Sequence, residues 1–502
     1  MRKLAVVLVL LGFALSNSVV YAQDLKPAPK ELQAVISSED NIAINKKALF
    51  DASDSTLLQP EEEVNTNYIW DFGDNSTQQV GKEAIHTYES IGNYKITLTV
   101  QQLKEKSVIE KDVYVYNKRG LLITDTTKEE TIKDIAKQSL HYGIWLKIIT
   151  AHNDNSGLVI EEDLASQISS DAEFIKGAEM IITYTQSSTG IQAFSHFWQK
   201  LENQESFKIN EKLLVNITDE NIDTIGRLTK QSYNVIKPQF ILLTRKEAFN
   251  PMFQSKNSGD FVNTLEQRAI EYKIIDERSE TPGYFFLSRL ISNFGTHGLS
   301  SNTVYLILAL PFITFLICFG RQVIGISTFG VYTPTVLTLA FMVMGIGFGL
   351  SVLVIVVLVS YLLRTLFERT NILYIPKVAL LISLTSISFL FIIWVLLATD
   401  SNISIALAIF PMLVMSTLSE KFISTQSEEG IKTAFTATFE TIAVAVAIYY
   451  IVSWSSFSNT IISMPELILI PIIGTLMLGK FSGLRLTEYF RFRSIVTNDS
   501  EE

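Results

Sequence analysis

The stretch Thr303-Val-Tyr-Leu-Ile-Leu-Ala-Leu-Pro-Phe-Ile-Thr-Phe-Leu-Ile-Cys-Phe-Gly320 carries no charged side chain, and comparable apolar runs follow it as far as Lys480. A bilayer core of about 30 Å is crossed by about 20 apolar helical residues. Helices satisfy their own backbone hydrogen bonds in lipid. The pattern therefore predicts an all-α bundle of seven membrane crossings, at residues 303–320, 331–345, 347–366, 377–398, 403–418, 431–454 and 465–479.

The joints between these runs predict the orientation of the bundle. Joints without Lys or Arg (345–347, 399–402 and 455–463) alternate with basic joints. Basic joints stay in the cytoplasm, so the first crossing is expected to start outside and the chain to end inside. An odd number of crossings satisfies this alternation. The basic residues of the joints are Arg321, Arg364, Arg369, Lys377, Lys421, Lys432, Lys480, Arg485, Arg491 and Arg493.

The first 22 residues have the features of a signal peptide. A positive head, Met1-Arg2-Lys3, precedes an apolar run at 4–15, and Val20-Tyr21-Ala22 predicts cleavage after Ala22. The alternative is an uncleaved anchor with an additional crossing. Under either interpretation, residues 23–302 are expected outside the cell membrane, with 23–31 as a linker.

Composition narrows the classes of function. The 502 residues carry a net charge of -10, and the pI near 5.3 argues against binding to nucleic acid. The single cysteine, Cys318, lies inside the first predicted crossing. A single cysteine cannot form an intrachain disulfide. Its position inside the membrane also excludes Cys-based zinc sites and Cys-nucleophile chemistry outside the membrane. The five histidines show no metal-ligand spacing, so neither a metal nor a cofactor is predicted.

Residues 32–117 follow the short alternating pattern of a β-sandwich, clearest at Tyr94-Lys-Ile-Thr-Leu-Thr-Val100. The segments 50–53 (FDAS), 68–74 (YIWDFGD), 86–88 (HTY) and 92–94 (GNY) resemble the PKD domain, an immunoglobulin-like module. The resemblance implies that Trp70 is the core aromatic and that Asp71 and Asp74 cap a turn. A calcium site at the two aspartates is the alternative.

Residues 119–278 alternate strands with amphipathic helices, which predicts a doubly wound α/β domain with a parallel sheet. Ligands of such sheets sit at the carboxyl ends of the strands. The predicted strands are 121–124, 145–150, 180–184, 212–217, 239–243 and 273–275, and the predicted helices are 129–140, 160–176, 191–200, 221–232 and 261–272. The candidate ligand-binding residues are Thr124, Asp125, His152, Asn153, residues 185–189, Thr218, Asp219, Thr244 and Arg245.

None of these strand ends forms a recognised catalytic motif. The turn 186–190 (QSSTG) opens a helix, where it is either an anion site or an ordinary loop with an N-cap. His152 is either a base or ligand, or an exposed structural residue. The sequence therefore favours a catalytically silent α/β domain. The connector, 279–302, contains an aromatic stretch at 284–294 that either lies at the membrane surface or is a plain connecting helix.

The membrane module, 303–493, resembles a bacterial seven-helix module usually fused to an inactive transglutaminase-like domain. The segments that carry the resemblance are 320–334 (GRQVIGISTFGVYTP), 374–377 (YIPK), 410–412 (FPM), 427–432 (SEEGIK), 465–467 (PEL) and 483–493 (GLRLTEYFRFR). That family is often associated with ATP-grasp ligases of the glutamate-adding type, which implies a cytoplasmic ligase as partner. This chain departs from the family because it contains no transglutaminase-like Cys/His/Asp set. Residues 494–502 form an acidic tail.

Two groups of polar residues in the module are candidate functional residues. Irregular backbone at 320–334, which includes Thr328 and Pro334, is tolerated at membrane depth only inside protein or beside a wet cavity. Glu440 lies near the middle of the sixth crossing and is either functional or a protonated, hydrogen-bonded side chain. A cytoplasmic ion-pair cluster or docking surface is predicted from Arg321, Glu428, Glu429, Arg485 and Glu488.

The sequence leads to one main hypothesis of function and one principal alternative. A third, an intramembrane or exported enzyme, is disfavoured because nucleophile, metal and cofactor motifs are missing. The main hypothesis is a non-enzymatic multi-pass membrane protein whose exported domains bind an envelope protein or glycan and whose bundle couples to a cytoplasmic partner. The alternative is a transporter or exporter of a small molecule or peptide that uses Glu440 and the broken helix 320–334.

Overall fold

The computed structural model describes residues 31–58, 65–126, 128–151, 157–279, 301–367 and 428–489, with short pieces at 286–288, 290, 291, 376, 383, 387, 418, 421, 422 and 424–426. The chain divides into two compact units, one ending at Asn117 and the other beginning at Lys118. The predicted signal peptide and the acidic tail lie outside the described residues. So do His152 and Asn153, and so do the predicted crossings 377–398 and 403–418 except at single positions.

The described residues of the first unit form seven strands in two sheets. One sheet has the order β1-β7-β6-β3-β4, and β2 pairs with β5. Ile96, Leu98 and Val100 on β6 are fully buried, as the predicted alternation requires. The predicted β-sandwich is therefore confirmed. The strands are β1 (Asn41–Ala43), β2 (Lys47–Asp51), β3 (Thr66–Asp71), β4 (Gln79–Val80), β5 (Glu83–Thr87), β6 (Gly92–Gln102) and β7 (Glu105–Tyr116).

Aromatic side chains fill the space between these sheets. Trp70 is completely buried, and its ring stacks on that of Phe72 with the centroids 6.4 Å apart. Phe50 lies 6.1 Å from Trp70, centroid to centroid. The indole Nε1 donates a hydrogen bond of 2.9 Å to the Gly81 carbonyl, so burial leaves this polar atom satisfied. Trp70 is thus the core aromatic that the sequence predicts.

The turn after β3 is held by its own aspartates. Asp71 Oδ1 accepts the Gly73 N–H and Asp74 Oδ1 accepts the Ser76 N–H, each at 3.0 Å. Gly73 has a φ of 73°, and a Cβ there would lie 2.5 Å from the Lys95 carbonyl oxygen. His86 Nε2 lies 2.7 Å from Asp74 Oδ2. The carboxylate oxygens are therefore engaged in building the turn, as the turn interpretation predicts.

The second unit opens with a six-stranded sheet of order β13-β12-β11-β10-β8-β9. The first five strands along the chain pair in parallel, whereas β13 is antiparallel to β12. These strands are β8 (Lys118–Thr124), β9 (Ile144–Thr150), β10 (Met180–Tyr184), β11 (Leu213–Ile217), β12 (Ile241–Thr244) and β13 (Tyr272–Ile275).

Helices cover both faces of this sheet. On one face Leu121 and Ile181 pack in a cluster with Phe194, and on the other Leu122 and Ile182 pack in a cluster with Phe261. Alternate residues of each strand thus serve different cores. The helices are α1 (Glu129–His141), α2 (Gly157–Ser170), α3 (Ala172–Lys176), α4 (Thr189–Lys200), α5 (Ile222–Ile236), α6 (Phe249–Gln254) and α7 (Ser258–Gln267).

The direction of β13 corrects the prediction of a parallel sheet. One helix between two strands returns the chain to the amino ends of the strands and gives parallel pairing. Two consecutive helices, α6 and α7, separate β12 from β13. The chain therefore comes back to the edge it left, and β13 runs the opposite way. The sequence analysis did not identify α6, which is short and contains Pro251.

The membrane module begins with α8 (Ser301–Phe319), followed by α9 (Tyr332–Met344) and α10 (Ile346–Phe367), then α11 (Ile431–Val452), α12 (Ser455–Ser463) and α13 (Leu469–Leu478). Within the described residues, Asn302–Ile324 and Ile431–Val452 have the length and apolarity to cross a bilayer. A third span exists if α12 and Pro465–Leu478, bent by 103°, are counted together. The predicted number of seven crossings stays a prediction.

The joint 455–463 forms the short helix α12. Ile461 and Ile462 of α12 are buried in one cluster with Ile222 and Ile225 of α5. This apolar contact joins the α/β domain to the membrane module. Glu466, just after α12, accepts hydrogen bonds from the N–H and the hydroxyl of Ser288 in the connector, at 3.0 and 3.1 Å.

Candidate functional site

The helix break at the end of α8 is present where the glycines predict it. The residues Gly320–Ile324 form a π-helical turn. Gly325 and Gly330 follow with φ of 93° and 68°. A Cβ at Gly325 would lie 2.2 Å from Thr487 Oγ1, so the close approach of residues 485–487 requires glycine. This end of the module is called the distal end, since the α/β domain contacts the other end of α8.

Two neighbouring residues of α11 hold the broken segment. The Ser327 N–H donates a hydrogen bond of 2.8 Å to Glu440 Oε2, and the Phe329 N–H donates one of 3.0 Å to Thr441 Oγ1. These backbone amides have no helical partner, so the side chains of α11 replace it. Glu440 therefore lies at the break that the sequence predicts, and its carboxylate has a defined partner there.

Thr328 and Pro334 belong to the same segment. Thr328 is buried, and its hydroxyl donates 2.7 Å to the Gly330 carbonyl. Pro334 is in the first turn of α9, where its missing N–H costs nothing. Its carbonyl accepts the Thr338 hydroxyl, which also lies 3.3 Å from the Ala445 carbonyl of α11. The break is thus fixed to α11 along several residues.

The charged residues predicted at this end do not pair with one another. Ser424 donates 2.9 Å to Glu428, and the Arg485 N–H donates 3.1 Å to Glu488 as a local helix cap. In the described residues no ion pair joins any two of Arg321, Glu428, Glu429, Arg485 and Glu488. Of the two alternatives, the ion-pair cluster is absent there and the docking surface stays a prediction.

The second group of polar residues lies at the carboxyl edge of the six-stranded sheet. The Asp125 carboxylate accepts the Gln186 N–H, at 3.2 and 3.0 Å to its two oxygens. Burial raises the pKa of Asp125, and the hydrogen bond from Gln186 opposes that rise. The Tyr184 hydroxyl lies 3.4 Å from Asp219 Oδ2. The sequence therefore places these side chains at the correct edge.

Arg245 stabilises this edge. Its guanidinium donates to Glu271 Oε2 at 2.8 and 3.0 Å and to the Thr218 carbonyl at 3.1 Å. Thr244 donates 3.0 Å to the Glu271 carbonyl. These bonds join the ends of β11 and β12 to the start of β13. Arg245, Thr218 and Thr244 consequently have structural partners at this edge.

The turn 186–190 is satisfied by its own side chains. Thr185 Oγ1 accepts the Gly190 N–H and Ser187 Oγ accepts the Thr189 N–H, each at 3.3 Å. Because the Asp125 carboxylate already accepts the Gln186 N–H, an anion at this helix start would meet a like charge. The geometry favours the interpretation of an ordinary loop over that of an anion site.

The end of the membrane module opposite the distal end closes the sheet edge. Glu220 accepts hydrogen bonds from the hydroxyls of Ser455 and Ser456 at 2.9 and 3.3 Å. Glu161 on α2 accepts a bond of 2.8 Å from Asn302 Nδ2, at the start of α8. Glu161 is 3% exposed, and burial raises its pKa to about 7. Polar contacts thus surround the apolar contact of α5 with α12.

Two adjoining cavities remain between the sheet edge and the helices, here together called the junction cleft. One has a volume of about 290 Å³ and the other about 500 Å³, and Asp125, Gln186 and Ser455 line both. The sequence analysis identified Asp125 and Gln186 but missed the contributions of the module. The uncharged, serine-rich joint 455–463 was the available signal for them.

The cleft can bind and orient a ligand by hydrogen bonding. Its walls offer carboxylate, hydroxyl and amide groups. Across the part of the chain that the structure describes, no group of three or more His, Cys, Asp or Glu side chains is placed to hold a metal ion.

Comparison with known proteins identifies two segments. Residues 31–115 match the family model of the PKD domain. Residues 284–496 match the model described as 7 transmembrane helices usually fused to an inactive transglutaminase. No curated protein matches the chain.

Some solved structures are similar to parts of the chain. A carbohydrate-binding module of the β-sandwich superfamily is 22% identical over 20% of this chain and 39% of its own, with a TM-score of 0.16. The PKD domain of the human VPS10 domain-containing receptor SorCS2 is 23% identical over 20% of this chain and 85% of its own, with a TM-score of 0.14. A sialyltransferase from Photobacterium damsela is 8% identical over 45% of this chain and 46% of its own, with a TM-score of 0.16.

TM-scores this low carry no argument about fold or function, and the chain spans less than half of the first of these structures. The family models agree with the sequence motifs and with the sandwich core. The chain is a membrane protein with a PKD domain at residues 31–115 and, at residues 284–496, a membrane module that matches the family described as 7 transmembrane helices usually fused to an inactive transglutaminase.

Proposed function

We propose that the chain is a non-enzymatic receptor-like protein of the cell membrane. The PKD domain and a doubly wound α/β domain lie outside the cell membrane, where they bind an envelope protein or glycan. The seven-helix module transmits the bound state to a cytoplasmic partner. The observation that carries the proposal is the junction cleft, where the ligand-binding edge of the sheet meets the ends of the membrane helices.

Helix α11 supplies the physical link between the two ends of the module. Its carboxyl end reaches the cleft, which Tyr449 and Ser453 line. Its middle carries Glu440 and Thr441, which hold the broken segment at the distal end. A displacement of α11 on ligand binding would therefore move both sites together. Coupling of this kind requires the ligand to bind two positions of α11 with different affinity.

The charge distribution supports the proposed sidedness. Arg321, Lys432, Lys480 and Arg485 all fall at the distal end by the path of the chain, whereas the joint 455–463 at the cleft has no Lys or Arg. Basic ends face the cytoplasm. With a tag on Glu502, protease added to intact cells should spare the tag and digest the PKD domain. Digestion of the tag with protection of the PKD domain would contradict this orientation.

A cytoplasmic ATP-grasp ligase of the glutamate-adding type is the proposed partner, on the basis of the family resemblance. Arg485 and Glu488 at the distal end are candidates for its docking surface, with Arg321, Glu428 and Glu429. In nanodiscs, the full-length protein should capture a purified ligase, and Arg485→Glu should abolish capture. Lys137→Glu, at an exposed position on α1 away from the cleft, is the matched control. Equal capture by Arg485→Glu and the unaltered protein would reject this surface.

Transport of a small molecule or peptide is the second candidate function. The broken helix with Glu440 beside it favours this function, since irregular backbone in transporters lines substrate paths. Proteoliposomes distinguish the two candidates. Loss of solute flux in Glu440→Gln with unchanged ligase capture would establish transport. Absence of flux in the unaltered protein would leave the receptor function.

A further inference from the structure

The smaller cavity of the junction cleft has a composition that restricts its ligand. The described residues that line its volume of about 290 Å³ number seventeen, and ten of them are Ser, Thr, Asn or Gln. Asp125 is the one carboxylate among them, and the lining includes no Lys, Arg or His. A site of this composition recognises its ligand by directional hydrogen bonds more than by charge.

One of these side chains lacks a hydrogen-bond partner. Asn459 on α12 is 3% exposed, and among the described residues its Nδ2 has no partner. A buried donor without an acceptor costs about 1–3 kcal/mol, so such groups are rare and call for an explanation. Asn459 lines the cavity. Nδ2 itself exposes less than 1 Å², so an acceptor oxygen on a bound ligand would satisfy it once the amide turns toward the cavity.

Asp125, at the same cavity, requires a hydrogen-bond donor from the ligand, whereas Asn459 requires an acceptor. Its carboxylate is an acceptor, and one backbone N–H, that of Gln186, already bonds to it. An ammonium ligand has donors only and would leave the Asn459 Nδ2 unsatisfied. A phosphate or carboxylate ligand has acceptors only and would be repelled by Asp125. A hydroxyl group both donates and accepts, so neighbouring hydroxyls of one ligand satisfy both residues.

The apolar part of the cavity lining matches the apolar C–H face of a sugar ring. Tyr305 and Tyr449 line the cavity together with Leu306 and Ile462, and these offer apolar contacts for the C–H face of a ring. The volume lies at the lower end of the usual range for small-molecule sites, roughly 300–1,000 Å³. The adjoining cavity of about 500 Å³ continues from Asp125 and Ser455, so a second ring has room.

We propose that the junction cleft binds a neutral sugar moiety, with Asn459 donating to a ring or hydroxyl oxygen and Asp125 accepting from a hydroxyl. This inference rests on the proposed function and names the ligand class of the same site. The sugar is either a free saccharide or the head group of a glycolipid, because the cavity lies between the α/β domain and the ends of membrane helices.

The test uses the full-length protein in nanodiscs and measures ligand-induced shifts in melting temperature and binding isotherms. One arm adds glucose, N-acetylglucosamine, maltose or chitobiose to nanodiscs of plain phospholipid. The other arm incorporates monoglucosyldiacylglycerol in the nanodisc. Spermidine, inorganic phosphate and a neutral dipeptide serve as probes of the other ligand classes.

We expect saturable binding in at least one sugar arm and a loss of affinity of tenfold or more in Asn459→Leu. The variant Asn459→Asp keeps the shape, replaces the donor by an acceptor and should lose affinity equally. Asn263→Asp, at an exposed position on α7, should bind as the unaltered protein does. Binding in the first arm alone identifies a free saccharide, and binding in the second alone identifies a glycolipid.

Failure of the sugar proposal is distinguishable from failure of the proposed function. If neither sugar arm binds but a charged or peptide probe does, with the same sensitivity to Asn459→Leu, the sugar assignment is wrong and the receptor function stands. Sugar binding that both Asn459 variants retain would place the site elsewhere and overturn the proposal. If no probe of either panel binds, the receptor function loses its support as well.

Discussion

The turn beside Trp70 in the PKD unit and the junction cleft of the α/β–membrane unit use their polar groups differently. Around Trp70, the indole N–H and the Asp71 and Asp74 carboxylates all bond within their own sandwich. At the junction cleft, by contrast, Asn459 Nδ2 has no partner among the described residues, and Asp125 lines an open cavity. The aspartates of the first unit therefore build a turn, whereas the polar groups that line a cavity lie in the second unit.

The two units also differ in which elements form their hydrophobic cores. The core of the PKD unit is drawn from its own two sheets. One core of the second unit is shared, because α5 of the α/β domain and α12 of the membrane module bury side chains in the same cluster. The predictions below test this contrast.

Trp70→Ala should have the largest effect and should be confined to the first unit. Removing a fully buried tryptophan costs about 3–5 kcal/mol. We expect rapid proteolysis of the PKD unit and an unchanged melting transition of the remainder. Val80→Ala, an exposed position on the same sheet, is the control. A fall in the stability of the membrane unit in Trp70→Ala would show that the two units do not unfold independently.

Ile225→Ala should destabilise the second unit at its shared core. Ile225 is completely buried with Ile461 and Ile462 of α12, and an Ile→Ala change in such a core costs about 2–5 kcal/mol. The melting temperature in nanodiscs is the measurement. Val108→Ala in the exposed part of β7 should change nothing. An unaltered melting temperature in Ile225→Ala would show that α5 and α12 do not share a core.

Glu161→Gln should remove a pH dependence from the second unit. The pKa of Glu161 is about 7 in the folded protein against a model-compound value of 4.5. The folded state therefore binds the proton more tightly. Its stability is highest below pH 4.5 and is lost as the pH rises through about 7, by roughly 3 kcal/mol in total.

The measurement is the melting temperature between pH 5 and pH 8.5. The unaltered protein should lose stability over this range relative to Glu161→Gln, and the two should converge near pH 5. Glu173→Gln, an exposed glutamate on α3, should follow the unaltered protein. If Glu161→Gln shows the same decline as the unaltered protein, Glu161 is not the titrating group.

Glu440→Leu should release the broken segment at the distal end. It removes the side-chain acceptor of the Ser327 N–H, a hydrogen bond worth about 0.5–1.5 kcal/mol. Hydrogen exchange at the Ser327 amide should accelerate by up to about tenfold. Glu440→Gln keeps a carbonyl acceptor and should exchange more slowly than Glu440→Leu. Equal, slow exchange in all three proteins would show that Glu440 does not hold this segment.

The sequence predicts local features well and composite features poorly. Strand β10 has the predicted limits, and Ile96, Leu98 and Val100 are buried as the alternation requires, because both depend on neighbouring residues alone. The antiparallel β13 was predicted wrongly because the extra helix, α6, is only six residues long. The direction of a strand in a sheet depends on how many helices separate it from the preceding strand. Overlooking one helix therefore reverses the predicted direction of the strand.

The same distinction applies to the candidate sites. Glu440 was singled out because a carboxylate in an apolar run is costly, but its partner, the Ser327 N–H, lies 113 positions away and carries no sequence signal. Asp125 was found from the rule about strand ends. Asn459 was missed, since a single asparagine in a serine-rich joint becomes informative only when packing buries it.

The most direct test of the central claim is a crosslink across the junction cleft in native membranes. In a Cys318→Ser background, Glu220→Cys and Ser455→Cys are joined by a short bismaleimide, and the chain is then cut at a protease site inserted in the connector 279–302. The hydrogen bond of 2.9 Å between the native side chains predicts that the two fragments stay linked. Glu202→Cys, at the opposite edge of the sheet, should not crosslink to Ser455→Cys. Fragments that separate with the first pair, or remain joined equally with the second, would contradict a ligand site shared by the α/β domain and the membrane helices.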